Sequence, residues 1–103
     1  MMRKNETQLV CIAKFIANNG EENALIKNLH DLIPLTLQEG GCIRYELNQC
    51  IDDPTRITFI EKWYDETTFN AHCDKPYIVA FFNDGKPKYV KEFEVSLHKE
   101  ILF

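Results

Sequence analysis

Two hydrophobic periods take turns along the chain. From Gln8 to Ala17 the residues are rich in β-branched and aromatic types, and both alternating sets are largely apolar: Leu9, Cys11, Ala13 and Phe15 on one side, Val10, Ile12 and Ile16 on the other. A strand with two apolar sides is expected to be covered twice, by helices on one face and by a partner subunit on the other. Beyond the turn signal Asn18-Asn19-Gly20 the period becomes helical. Leu25, Ile26, Leu29, Leu32, Ile33 and Leu37 recur at three- and four-residue spacings, which predicts one amphipathic helix from Glu21 to about Gln38. Glu21 and Glu22 suit its positive end, Pro34 should kink or loosen its last turn, and Gly40-Gly41 stops it. His30, at the flank of the apolar face, reads as a solvated residue.

Cys42 to Ile51 returns to alternation, with Ile43, Tyr45, Leu47 and Ile51 opposite Arg44, Glu46 and Asn48. Asp52-Asp53-Pro54-Thr55 supplies turn chemistry, so Arg56 to Tyr64 should return antiparallel, with Ile57, Phe59, Glu61 and Trp63 pointing one way and Thr58, Ile60, Lys62 and Tyr64 the other. Asp65 is a good N-cap for a short helix reaching His72. Asp74 can cap a second one in which Pro76 takes the first turn, and Asn83 to Pro87 reads as a loop. Val90 to Leu97 closes the pattern as a half-buried strand with Phe93, Val95 and Leu97 inward; the apolar tail Ile101-Leu102-Phe103 is expected to tuck against this subunit or a neighbour. The order strand, long helix, strand, strand, helices, strand is the split βαβ arrangement. It predicts an α+β, ferredoxin-like domain over residues 1–103, a four-stranded antiparallel sheet with helices on one face. The other face needs a cover, which two sheets facing each other in a homodimer would supply.

Composition narrows the function. With 103 residues, 45% hydrophobic and 27% charged, the chain can bury one core and no more. A formal charge of −4 and scattered Lys and Arg argue against nucleic-acid binding, which needs a basic face. The longest apolar run, Tyr77 to Phe82, is too short to span a bilayer. Arg3 and Lys4 lead into Asn5-Glu6-Thr7-Gln8 rather than an apolar signal core, so the expected location is the cytoplasm, without a membrane partner. Cys11, Cys42, Cys50 and Cys73 show no two-residue spacing and read as free thiols. No pair among His30, His72, His98 and Cys73 has ligand spacing on one element, so no metal is expected.

The anomaly is Glu61, a carboxylate between Phe59 and Trp63 on an apolar strand face. If buried it must be paired, wet or protonated, and each option is chemically useful, although a structural partner such as a helix N-terminus or a lysine would explain it equally well. His72, on the helix that follows, is the second titratable candidate.

Glu39-Gly40-Gly41-Cys42-Ile43-Arg44-Tyr45-Glu46-Leu47, then Glu61-Lys62-Trp63-Tyr64-Asp65, then His72 and Tyr77 with Phe81, together resemble the pattern of the antibiotic biosynthesis monooxygenase family. The resemblance implies a dimeric α+β barrel with a ligand cavity between the helices and the sheet of each subunit. For many members it implies cofactor-independent oxidation of phenols or quinols by oxygen. The Glu-x-Trp form is closest to the quinol-oxidising branch and to one that processes a phosphorylated dicarbonyl signal of the autoinducer-2 type. Phe59 stands where some members carry an asparagine, and only Trp63 has a counterpart in the Asn, Trp, His set of haem-degrading relatives, so haem is disfavoured. On this reading His72 and Glu61 are the catalytic acid–base pair. Trp63, Tyr45, Tyr77, Phe59 and Phe81 bind a small aromatic or quinone-like substrate, and no cofactor is required. The same two groups in acid and base roles would serve an isomerase or tautomerase, and a dimer that only binds a small ligand is the alternative from another class.

Overall fold

The computed structural model describes residues 7–101, which form one four-stranded antiparallel sheet with helices on one face. The elements are β1 (Leu9–Ala17), α1 (Glu22–His30), α2 (Ile33–Thr36), β2 (Cys42–Gln49), β3 (Arg56–Trp63), α3 (Glu66–Cys73), α4 (Pro76–Ala80), a π-helical turn (Phe81–Gly85), α5 (Lys86–Tyr89) and β4 (Val90–His98). Strand order is β2-β3-β1-β4, the ferredoxin-like arrangement that the element order predicts.

The doubly apolar β1 lies inside the sheet, pairing Cys11 with Glu61 and Phe15 with Ile57 on one side, and Cys11 with Leu97 and Phe15 with Phe93 on the other. Its inner residues Cys11, Ala13, Phe15 and Ala17 are buried with Ile57, Phe59, Trp63 and Tyr45 under Leu25, Leu29, Leu32, Ile78 and Phe81 of the helical layer. The other face carries Val10, Ile12, Ile16 and Ile60, half-buried beside charged neighbours. Among the described residues no helix is long and apolar enough to cross a membrane.

The predicted single helix from Glu21 to Gln38 is instead two. Pro34 has no amide hydrogen to donate and its ring would collide with the carbonyl four residues earlier, so α1 ends at His30 and Pro34 falls in the tolerated first turn of α2. The second helix start also moves by one residue. Lys75, not Asp74, is the extended N-cap of α4, while Asp74 closes α3. The stretch expected as a loop, Asn83 to Pro87, is helical: α4 runs on through the π turn into α5. Gly85 is buried there, and a Cβ in its place would come within 3.0 Å of the Phe81 ring and 3.1 Å of Asn28 Oδ1.

Two apolar positions of the β2 alternation leave the core. A bulge between Cys42 and Arg44 turns Ile43 outward, and Ile51 lies past the strand end at 97% exposure. Of the three β4 residues expected inward only Phe93 packs against the core, with its ring 4.9 Å from that of Phe15. Val95 and Leu97 stay about half exposed. Ile101 is exposed and does not tuck against this chain, and Leu102 and Phe103 fall outside the described residues.

Candidate active site

Three elements bring the chemistry together at one end of the helix-covered face. β3 carries Glu61 and Trp63 inward by simple alternation. α3 begins where the sequence predicts, because Asp65 accepts from the Thr68 amide at 2.8 Å and the Thr68 hydroxyl accepts from the Asp65 amide at 3.2 Å, closing a capping box. That start places His72 in the last turn of α3, facing the sheet. Gly41, at φ +101°, lets the entry to β2 press against Thr68, where a Cβ would meet the side chain at 2.5 Å. Its carbonyl accepts from the Tyr64 amide at 2.8 Å. The helix that holds His72 is thus pinned to the strand pair that holds Glu61.

Trp63 is fully buried, and its Nε1 donates to Glu61 Oε1 at 2.9 Å. The His72 ring lies over the indole, with centroids 4.5 Å apart, and edge-on to Tyr45 at 5.5 Å; Tyr45 in turn stacks on Phe59 at 4.3 Å. Glu61, Trp63, His72, Tyr45 and Phe59 therefore form one contiguous cluster. Phe81 does not join it. Its ring meets Phe15 at 5.8 Å, and Phe15 pairs with Ile57 while Leu9 pairs with Trp63. Six residues of strand, about 20 Å, separate the two places.

Tyr77 reaches the cluster through a residue that the pattern reading left unassigned. Glu39, in the turn before β2, faces His72 Nδ1 with both carboxylate oxygens, at 3.2 and 3.0 Å, and accepts a short hydrogen bond from the Tyr77 hydroxyl. Its side chain is 6% exposed. Glu39 stands at the head of the Glu39-Gly40-Gly41 motif, but its partners are 33 and 38 residues away, beyond the reach of any periodicity. Thr36, fully buried, was also missed. Its hydroxyl lies beside that of Tyr45 and acts on its acidity, yet no hydrogen bond of sound geometry satisfies it.

Burial sets the electrostatics. It pushes the Glu61 carboxyl from its ordinary 4.5 up to about 7, against the opposing pull of the Trp63 and Cys11 hydrogen bonds; the nearby Glu39 charge adds to the rise. Burial also holds the His72 imidazole below its ordinary range, which Glu39 opposes, so the ring is neutral at rest near pH 7. The Tyr45 and Tyr77 hydroxyls are raised, chiefly by loss of water and then by the neighbouring carboxylates, and remain protonated donors. Cys42 rises to about 11 for the same reasons and is no nucleophile.

The surface also carries a groove of about 700 Å³, lined by Lys14, Ile16, Arg56, Thr58, Glu92 and Glu94 among others. It opens on the helix-free face and holds none of the acid–base groups. Lys14 and Arg56 there stand among Glu92 and Glu94. Among the described residues no cluster of three metal-ligating side chains occurs.

Fold and site define a small ferredoxin-like α+β protein with an acid–base cluster shut between sheet and helices. The chain belongs to the antibiotic biosynthesis monooxygenase family, whose pattern matches residues 8–84. Among solved structures, a protein from Shewanella oneidensis is 44% identical, covers 93% of both chains and superposes with a TM-score of 0.91. A protein from Pseudomonas aeruginosa is 25% identical over 93% of this chain and 96% of its own, with a TM-score of 0.87. A third structure, itself named an antibiotic biosynthesis monooxygenase, shares the fold at 22% identity, covering 91% of this chain and 99% of its own with a TM-score of 0.83. No curated protein matches the sequence. Family membership supports a monooxygenase-like function on small molecules.

Proposed function

We propose that this protein is a cofactor-independent monooxygenase that oxidises a small quinol or phenol with molecular oxygen, as a cytoplasmic homodimer whose sheets cover each other's apolar faces. The observation that carries this reading is the position of His72: a buried imidazole, neutral at rest, packed against Tyr45 and against Trp63, whose indole donates to Glu61. Aromatic walls suit a flat ring, and the imidazole takes the phenolic proton. The resulting electron-rich anion passes one electron to oxygen, and the radical pair couples at a ring carbon to give a hydroperoxide. Loss of water leaves a carbonyl at that carbon. In sum, quinol and oxygen give a hydroxyquinone and water, with no metal or external reductant. On this reading Glu61, near neutrality in pKa, returns a proton to the departing oxygen.

The charge of the site favours a neutral substrate. Its buried acidic groups are Glu39 and Glu61, and Lys75, half-buried near His72, is the cation that acts on the cluster, so a phosphorylated dicarbonyl would enter facing two carboxyls with one lysine to offset them. An oxygen electrode with a panel of benzo- and naphthoquinols tests the proposal. The expected result is uptake of one oxygen per quinol and its loss in His72→Ala. No uptake above the protein-free rate overturns it. Proton exchange without oxygen uptake would assign a tautomerase, and saturable binding with neither would assign a ligand-binding dimer.

A further inference from the structure

Glu39 is a carboxylate nearly free of water contact whose partners include no Lys or Arg among the described residues. It is held instead by two neutral donors on separate helices, His72 on α3 and Tyr77 on α4. A carboxylate so placed must obtain its hydrogen bonds from those two groups or lose several kcal/mol to desolvation.

We infer that Glu39 is a positioning residue: it fixes His72 as the tautomer with hydrogen on Nδ1, leaves Nε2 bare to serve as the base, and is itself clamped by the Tyr77 hydroxyl. The inference rests on the reading of His72 as the proton acceptor. An ionised carboxylate can only accept, so the nitrogen that faces it carries the hydrogen. A neutral imidazole has one such hydrogen, so Nε2 keeps its lone pair, and the hydrogen bonds of the ring to the described residues are made by Nδ1. The Tyr77 hydroxyl has a single proton and spends it on Glu39 Oε2, the oxygen nearer Nδ1, which stops the carboxylate from swinging away. Once Nε2 takes a proton, the ring becomes a cation beside Glu39. An ion pair absent from the resting state then forms as charge develops, and only interactions that strengthen in this way accelerate the step.

Nitrogen-15 NMR of the full chain reads the tautomer without reference to turnover. The other two histidines, His30 and His98, are exposed and can be replaced by Gln to leave one imidazole signal. The expected result in the otherwise native protein is a protonated Nδ1 and a bare Nε2 on His72. In Glu39→Ala the Nε2–H form, which free imidazole side chains favour, should appear, and kcat for quinol oxidation should fall about tenfold or more with KM nearly unchanged. A native His72 with hydrogen on Nε2, or a folded Glu39→Ala with an unaltered tautomer, overturns the inference. Should Glu39→Ala fail to fold, Glu39→Gln keeps the shape and removes the charge. The groups that face the imidazole are Glu39 from the turn before β2, Tyr45 from β2, Glu61 from β3 through Trp63, Lys75 after α3 and Tyr77 from α4, and only the first is changed. The midpoint of His72 protonation should then fall by about one pH unit, and an unmoved midpoint overturns the inference. The expected tautomer in a protein that oxidises no quinol would refute the proposed function and leave the positioning role standing. Oxidation that depends on His72 but is indifferent to Glu39 would do the reverse.

Discussion

The two ends of the helix-covered sheet face are built to opposite rules. At the Phe15 end, Phe15, Phe81, Phe82 and Phe93 meet at 4.9–5.8 Å, largely edge to face, over a fully buried Ile57, and no titratable group is buried among them. At the Trp63 end the same strands bury Glu61, His72, Thr36 and the Glu39 carboxylate. One end gains its stability from area removed from water. The other gives some of that up to keep acid–base groups where water does not level their pKa values, which is how functional sites differ from cores.

Substitutions at each end should separate the two rules. The largest effect is expected from His72→Ala at the polar end: quinol-dependent oxygen uptake, once found, should fall by roughly 10²–10⁴-fold. A smaller loss would move the proton acceptor elsewhere. At the apolar end, Phe81→Ala should cost about 3–5 kcal/mol in urea unfolding, while the turnover of the folded fraction stays at the native value. A selective loss of turnover there would place Phe81 in the site after all.

Glu61→Gln should act in the opposite sense on stability. The Glu61 pKa rises from 4.5 unfolded to about 7 folded, so the folded state binds the proton more tightly. Its contribution is whole below pH 4.5 and is lost as pH climbs to about 7. Gln keeps an acceptor for Trp63 Nε1 and has no proton to lose, so at pH 8 the variant should exceed the native protein by up to roughly 3 kcal/mol, with equality near pH 4. A constant difference across that range would mean that Glu61 is solvated. The smallest effect concerns the support of the polar end. Asp65→Ala removes the cap of α3 and should lower stability by about 1 kcal/mol, with a modest loss of activity through His72.

Much of this contrast can be read in the chain before any coordinates. Alternation put Glu61 and Trp63 on one strand face, and Asp65 announced the helix that presents His72, because strand period and cap chemistry act over a few residues. The long helix was misjudged as continuous since apolar spacing carries on across Pro34 while backbone sterics do not. The family resemblance groups Phe81 with Tyr77, four residues earlier. Yet four residues advance about 6 Å along the axis, enough to carry Phe81 away toward Phe15. Glu39 was the hardest to see. A carboxylate next to two glycines looks like turn punctuation, and only the packing of α3 and α4 over the start of β2 brings His72 and Tyr77 to it.

The chain has a single tryptophan, and it lies between Glu61 and the ring of His72. Its ultraviolet emission therefore serves as a built-in gauge of the site. Full burial sets a short-wavelength maximum, and an imidazolium stacked on the indole quenches the light. Proton arrival at His72 and the entry of a quinone, itself a strong quencher, can thus be followed in real time in the unlabelled protein, without knowing the product.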